Sequence, residues 1–227
     1  MDAMTENRIR QEQIDSYGRL MAGFAHDMKN HLGIIRESNG LMADLVEMGG
    51  LAEDEKVQER LKKSIAAIER RVVLAADMFH SLSCFSHRSD TPYSSFQLND
   101  LIREECVFLE RFSRLKQIEV VLELGDGLHA LYNDPSLLHH VLYRMYNKCL
   151  TQMESGHKLL IITEQEGAKS SILFRLQATP QIDVQQLFDA PFLATIQKLD
   201  GTLEGGASTK EYTEIRLLLS SLSLEGK

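Results

Sequence analysis

Apolar positions in the first ninety residues recur at alternating steps of three and four. Ile14, Tyr17, Met21, Phe24, Met28, His31, Ile35, Ser38, Met42 and Leu45 form one such series. Most are apolar, and the spacing is that of a helical seam with a heptad period. Leu20, Leu32, Leu41 and Val46 widen the seam, as the core of a four-helix bundle requires. Leu61, Ile65, Ile68, Val72, Ala75, Phe79 and Leu82 repeat the period, and no proline interrupts residues 8–88. Gly49-Gly50 stops the first run, and the carboxylates of Glu53, Asp54 and Glu55 suit the positive end of the second. The pattern predicts an antiparallel helical hairpin over residues 1–90. Its stripes are too broad for a two-helix contact, and a homodimer forming a four-helix bundle buries the remainder.

After Ser89 the period changes. Asn99 is a plausible N-cap for a helix from Asp100 to about Lys116. Strand-like runs follow at Ile118–Leu124 and Leu128–Tyr132. Asn133 or Asp134, with Pro135 in the first turn, opens a second helix. Lys158–Gln165 and Ser170–Ala178, joined at Glu166-Gly167, read as a β-hairpin. A helix from Val184 to about Leu199 and two strands around a Gly-rich turn end the chain. Residues 91–227 thus read as an α/β sandwich with one helical layer over an antiparallel or mixed sheet, and the whole chain as α+β.

Composition narrows the function classes. The 227 residues are 43% hydrophobic and 26% charged, an ordinary globular balance. A formal net charge of −8 and the lack of a basic patch argue against nucleic acid as a partner. No apolar run approaches the roughly 18 residues of a membrane helix, and the first residues lack a signal-peptide core; the expected location is cytoplasmic. Cys84, Cys106 and Cys149 have no metal-ligand spacing and read as packing residues.

The segment Gly18–Ile35 holds the candidate chemistry. His26 lies two residues from both Phe24 and Met28, which turns it off the apolar seam. Asn30 is one turn along the same face, and Asp27 is beside it. A neutral imidazole is a good nucleophile near neutral pH, and an adjacent carboxylate can take the proton of one ring nitrogen while the other attacks. The plain alternative is a solvated helix face that happens to carry His, Asp and Asn.

Phe24-Ala25-His26-Asp27-Met28-Lys29-Asn30-His31-Leu32 resembles the H-box of two-component sensor histidine kinases, and Leu82–His87 the end of the second helix of their hairpin. Phe96–Leu101 resembles the entry to the kinase ATPase domain. Asn133–Leu138 is similar to the start of its N-box helix, Leu187–Phe192 to its F-box, and Gly201–Gly205 with Tyr212–Leu219 to its last strands. The resemblance implies that His26 accepts a phosphoryl group, that Asp27 takes its proton and that Asn30 positions a water or an incoming aspartate. The family's N-box places two Asn residues where this chain has Arg144 and Lys148, with Asn147 one position off. A protonated lysine can neutralise phosphate but cannot ligate Mg²⁺. The glycine-rich loop expected after the strand ending at Ala178 is replaced by Thr179-Pro180-Gln181-Ile182-Asp183-Val184, and the lid is missing.

These departures give the expectation of a histidine phosphotransferase of the sporulation and cell-cycle phosphorelay kind, without ATP-dependent kinase activity. It would pass phosphoryl groups between His26 and the aspartates of response-regulator receiver domains. It would have no cofactor of its own, Mg²⁺ being held by the receiver. Two alternatives stay open: an ATP-dependent kinase core with a divergent nucleotide site, and a non-catalytic dimer that binds receivers.

Overall fold

The computed structural model describes residues 3–47, 55–89, 91–177, 187–209 and 211–220. Two long helices, α1 (Ala3–Glu47) and α2 (Glu55–Ser89), open the chain. There follow β1 (Ser94–Phe96), α3 (Leu98–Leu115), β2 (Glu119–Leu124), β3 (Leu131–Asn133) and α4 (Pro135–Thr151). β4 (Lys158–Glu166), β5 (Lys169–Gln177), α5 (Ala190–Lys198), β6 (Thr202–Ser208) and β7 (Tyr212–Ser220) complete it. The residues fall into two compact units: 21–83, and 1–20 together with 84–227.

The first unit is the helical hairpin. Met28 and Leu45 of α1 are buried, as are Ser64 and Ser81 of α2, and the rings of Phe24 and Phe79 meet edge-on at 5.4 Å. Much of the apolar surface is left outside. Leu32, Leu41 and Val46 on α1 and Ile65, Val72, Val73, Leu74 and Phe79 on α2 are exposed. A soluble chain rarely presents so much apolar helix surface without a partner for it.

The second unit is the α/β sandwich. Its sheet runs β2-β4-β5-β7-β6, with β2 parallel to β4 and the other pairs antiparallel. β1 and β3 form a separate antiparallel ribbon. The sheet is held in register by β5, which pairs from Leu159↔Leu176 to Glu166↔Lys169 on one side and along Ser170↔Leu219 to Gln177↔Tyr212 on the other. At the β4–β5 turn Gly167 has φ 61°, a conformation glycine adopts without strain. Gly125 is fixed by space instead: a Cβ there would lie 2.6 Å from the Thr163 carbonyl oxygen.

Helix α3 carries a stripe at Leu98, Leu101, Ile102, Glu105, Phe108 and Leu109, all buried. Glu105 belongs to it because His139 of α4 lies opposite, Nδ1 to Oε2 2.8 Å, with both side chains out of solvent. The helix begins two residues before the expected start, and Asn99 does not cap it. Its amide donates to the Gly125 carbonyl (2.7 Å) and accepts from Thr163 Oγ1 (2.8 Å), joining α3 to the sheet. Asp134 caps α4 through the Leu137 N–H at 2.9 Å. The last helix also departs from expectation. α5 starts at Ala190 because Asp189 caps it, accepting from the Phe192 N–H; residues 184–186 lie outside the described residues.

The first five turns of α1 pack within the sandwich. Ile9 and Leu20 are buried, Tyr17 donates to the Ser136 carbonyl (2.9 Å), and Lys198 of α5 reaches Glu6 at 2.6 Å. Ser16 Oγ meets His140 Nδ1 of α4 at 2.9 Å, while the buried Nε2 of His140 has no partner. Burial, reinforced by the nearby Arg144 charge, lowers the His140 pKa to about 4. An unfolded histidine takes its proton near pH 6.5. Stability is therefore full above about pH 6.5 and drains as pH falls toward 4. Urea unfolding should give about 2 kcal/mol less stability at pH 5 than at pH 7 from this group, and His140→Gln should remove that part of the slope. An unchanged slope in the variant would show that His140 is not the titrating group.

Candidate functional site

The hairpin face of α1 that carries Met28 is buried, and the opposite face carries His26 and Asn30 into solvent. The His26 side chain is 51% exposed and that of Asp27 17%. Asp27 Oδ1 lies 3.3 Å from His26 Nδ1, and Asn30 Nδ2 lies 3.1 Å from the same nitrogen. One nitrogen cannot serve both at once. With a proton on Nδ1 the ring donates to Asp27, and the lone pair sits on Nε2. Without it the ring accepts from Asn30, and the proton sits on Nε2. The two neighbours thus favour opposite tautomers, and the one favoured by Asp27 leaves the ring lone pair on Nε2.

Exposure alone does not single out His26, because His80 and His87 are also exposed. His31, expected on the seam, is half-buried, and its Nδ1 is buried without a hydrogen-bond partner. His129 in the second unit is likewise half-buried.

In the sandwich, the outward face of α4 carries the two cations that stand at the family's Asn positions. Arg144 is held by Glu12 at 2.5 Å and Asp189 at 3.0 Å, with its guanidinium 4.9 Å from the Phe192 ring centre. Burial pushes the Asp189 pKa up, but the Phe192 N–H and the Arg144 charge outweigh it and hold the carboxyl below its ordinary value. Lys148 is exposed. Asn147 turns its amide back on its own helix, donating to the Tyr143 carbonyl at 2.9 Å. The Mg²⁺ that the family's N-box holds does not fit here: guanidinium and ammonium offer no lone pair. Among the described residues no group of His, Cys, Asp or Glu is placed to hold a metal. The residues that replace the glycine-rich loop, 179–184, lie outside the described residues. Glu12 was not legible as a partner of Arg144, since it sits in an unbroken helical pattern 132 positions away.

No family model matches the chain. It is 23% identical over 222 residues to the sensor histidine kinase ZraS of Escherichia coli O157:H7, covering 96% of this chain and 46% of that protein. It is 25% identical over 202 residues to the signal transduction histidine-protein kinase AtoS of Escherichia coli K12, covering 87% and 31%. The chain thus spans less than half the length of these relatives. Among solved structures, the Acinetobacter baumannii histidine kinase AdeS matches with TM-score 0.50 at 16% identity, over 87% of this chain and 98% of that one. A histidine kinase from Burkholderia phymatum STM815 matches with TM-score 0.50 at 12% identity, over 95% and 99%. The histidine kinase ThkA in complex with response regulator protein TrrA matches with TM-score 0.51 at 16% identity, over 98% and 68%.

The architecture is therefore like that of the two-component histidine kinases, a helical hairpin followed by an α/β domain. No helix among the described residues is long and apolar enough to cross a membrane. One expectation is corrected. A phosphotransferase without ATP-dependent kinase activity is overturned by relatives that are histidine kinases along nearly the whole chain, and these matches do not single out the phosphorelay phosphotransferases. The physical flaw lies in the weight given to Arg144 and Lys148: losing a metal ligand does not remove phosphate affinity, since both replacements are cations.

The geometry around His26 has a direct readout. In ¹⁵N spectra of the imidazole, Asp27→Ala should shift the ring toward the Nε2–H tautomer and Asn30→Ala toward Nδ1–H. Ring nitrogen shifts unchanged by both substitutions would show that neither neighbour sets the tautomer.

Proposed function

We propose that this chain is the phosphotransfer core of an ATP-dependent sensor histidine kinase, with His26 as the phosphoryl carrier. The carrying observation is the Asp27–His26–Asn30 set on an exposed helix face. Nε2 of His26 attacks the γ-phosphorus of ATP, the bond to the β-phosphate oxygen breaks, and the Nδ1 proton passes to Asp27 as the P–N bond forms. A receiver-domain aspartate then attacks the phosphorus, the P–N bond breaks, and the ring recovers its proton. Asn30 orients the ring or the incoming oxygen. Support for a receiver as partner comes from the solved complex of ThkA with a response regulator. Support for a homodimer comes from the apolar residues left exposed on the hairpin.

Incubation with γ-labelled ATP should place an acid-labile phosphoryl group on the chain, and His26→Gln should abolish it. Asp27→Asn should slow labelling by roughly 10²-fold, the lower end of general-base effects, while leaving the assembly intact. Labelling of His26→Gln at the wild-type rate would remove the proposal. Sedimentation at low micromolar concentration should give about twice the chain mass. Val72→Glu, which sets a charge in the exposed apolar face, should give the monomer with its fold preserved. A wild-type monomer would exclude the homodimer.

A further inference from the structure

Three cations that gather on one side of the sandwich have no carboxylate partner among the described residues, although the chain carries a net charge of −8. They are Arg19, Lys116 and Lys148, and they line one cleft between α3 and α4 together with Arg144, Phe112 and Tyr143. Its volume is about 460 Å³, and no Asp or Glu lines it. That size falls within the roughly 300–1,000 Å³ range of small-molecule sites.

Their positions are set by the fold. Lys116 donates to the Leu150 carbonyl at 2.9 Å, which places its ammonium against the end of α4. Arg19 is hydrogen-bonded to Tyr143, whose hydroxyl pKa is raised by burial against the opposing effect of that arginine. Lys148 is exposed and lines the same cleft. Phe112 and Tyr143 meet edge-on at 6.0 Å and give the cleft an aromatic wall.

Uncompensated like charges gathered in one cleft repel one another, and an anionic ligand relieves that repulsion. We propose that this cleft binds a nucleoside triphosphate through its phosphates without a divalent metal, the base lying on the aromatic wall. The inference rests on the kinase reading above and adds the manner of holding the phosphates. Arg19, Lys116 and Lys148 supply the positive charge that Mg²⁺ supplies where metal ligands are present. The misfit of Arg144 and Lys148 to a metal is then what such a site requires.

Calorimetric titration of the full chain with ATP in excess EDTA should show saturable binding below about 1 mM. Inorganic tripolyphosphate should compete and adenosine should not. Lys148→Glu should weaken ATP in EDTA by roughly tenfold or more, and Lys148→Arg should bind as the wild type does. No saturation in EDTA, or equal affinity for Lys148→Glu, overturns the site. Labelling of His26 from Mg-ATP without binding in EDTA would retire this cleft and leave the kinase reading in place. Binding in EDTA without labelling of His26 would retire that reading and leave the cleft.

Discussion

A helix that must bury one stripe can offer chemistry only on the face turned away from it. That constraint governs α1. Met28 and Leu45 go inside, so His26, two positions from Met28, goes outside. The same period brings Asn30 over His26 and leaves Asp27 beside it, so a carboxylate and an amide both reach one ring nitrogen. A side-chain set placed this way is reachable without a pocket. It needs an unbroken helix, and the long proline-free run provides one.

The sandwich is organised by charge as well as by packing. Within its apolar core Glu105 and His139 pair at 2.8 Å, and each keeps one further buried polar atom without a hydrogen-bond partner. On the outward side of α4, Arg144 is compensated by Glu12 from α1 and Asp189 from the cap of α5. Arg19, Lys116 and Lys148, which line the same cleft as Arg144, are not compensated by carboxylates. The contrast between one neutralised cation and three others within a single groove gives that surface its polarity in an otherwise acidic chain.

The hairpin, the β4–β5 turn at Gly167 and the cap and proline of α4 were legible in the sequence, because each is a local signal: a period, a turn glycine, a side chain three residues from the N–H it accepts. Asn99 misled, since its short amide suits a cap and a long-range bond to Gly125 equally well, and only the folded sheet decides between them. The start of α5 at Ala190 followed from the Asp189 cap, which the apolar run before it obscured. The packing of residues 3–20 on the sandwich had no local signature, for the heptad pattern runs through them unbroken. His26, Asp27 and Asn30 were readable as a set because helical spacing is fixed. The cleft was not, since Arg19 and Lys148 lie 129 positions apart and meet only through tertiary structure. By residue type Arg144 and Lys148 count as lost metal ligands, whereas by charge they supply cations in the same places.

The central claim is that His26 carries the phosphoryl group through Nε2. The most direct measurement is ³¹P and ¹⁵N NMR of the intact, phosphorylated chain, which identifies both the residue and the ring nitrogen bonded to phosphorus. The account predicts one phosphorus–nitrogen coupling, to Nε2 of His26. A phosphoryl group on Nδ1 of His26, or on another histidine such as His80, would contradict it.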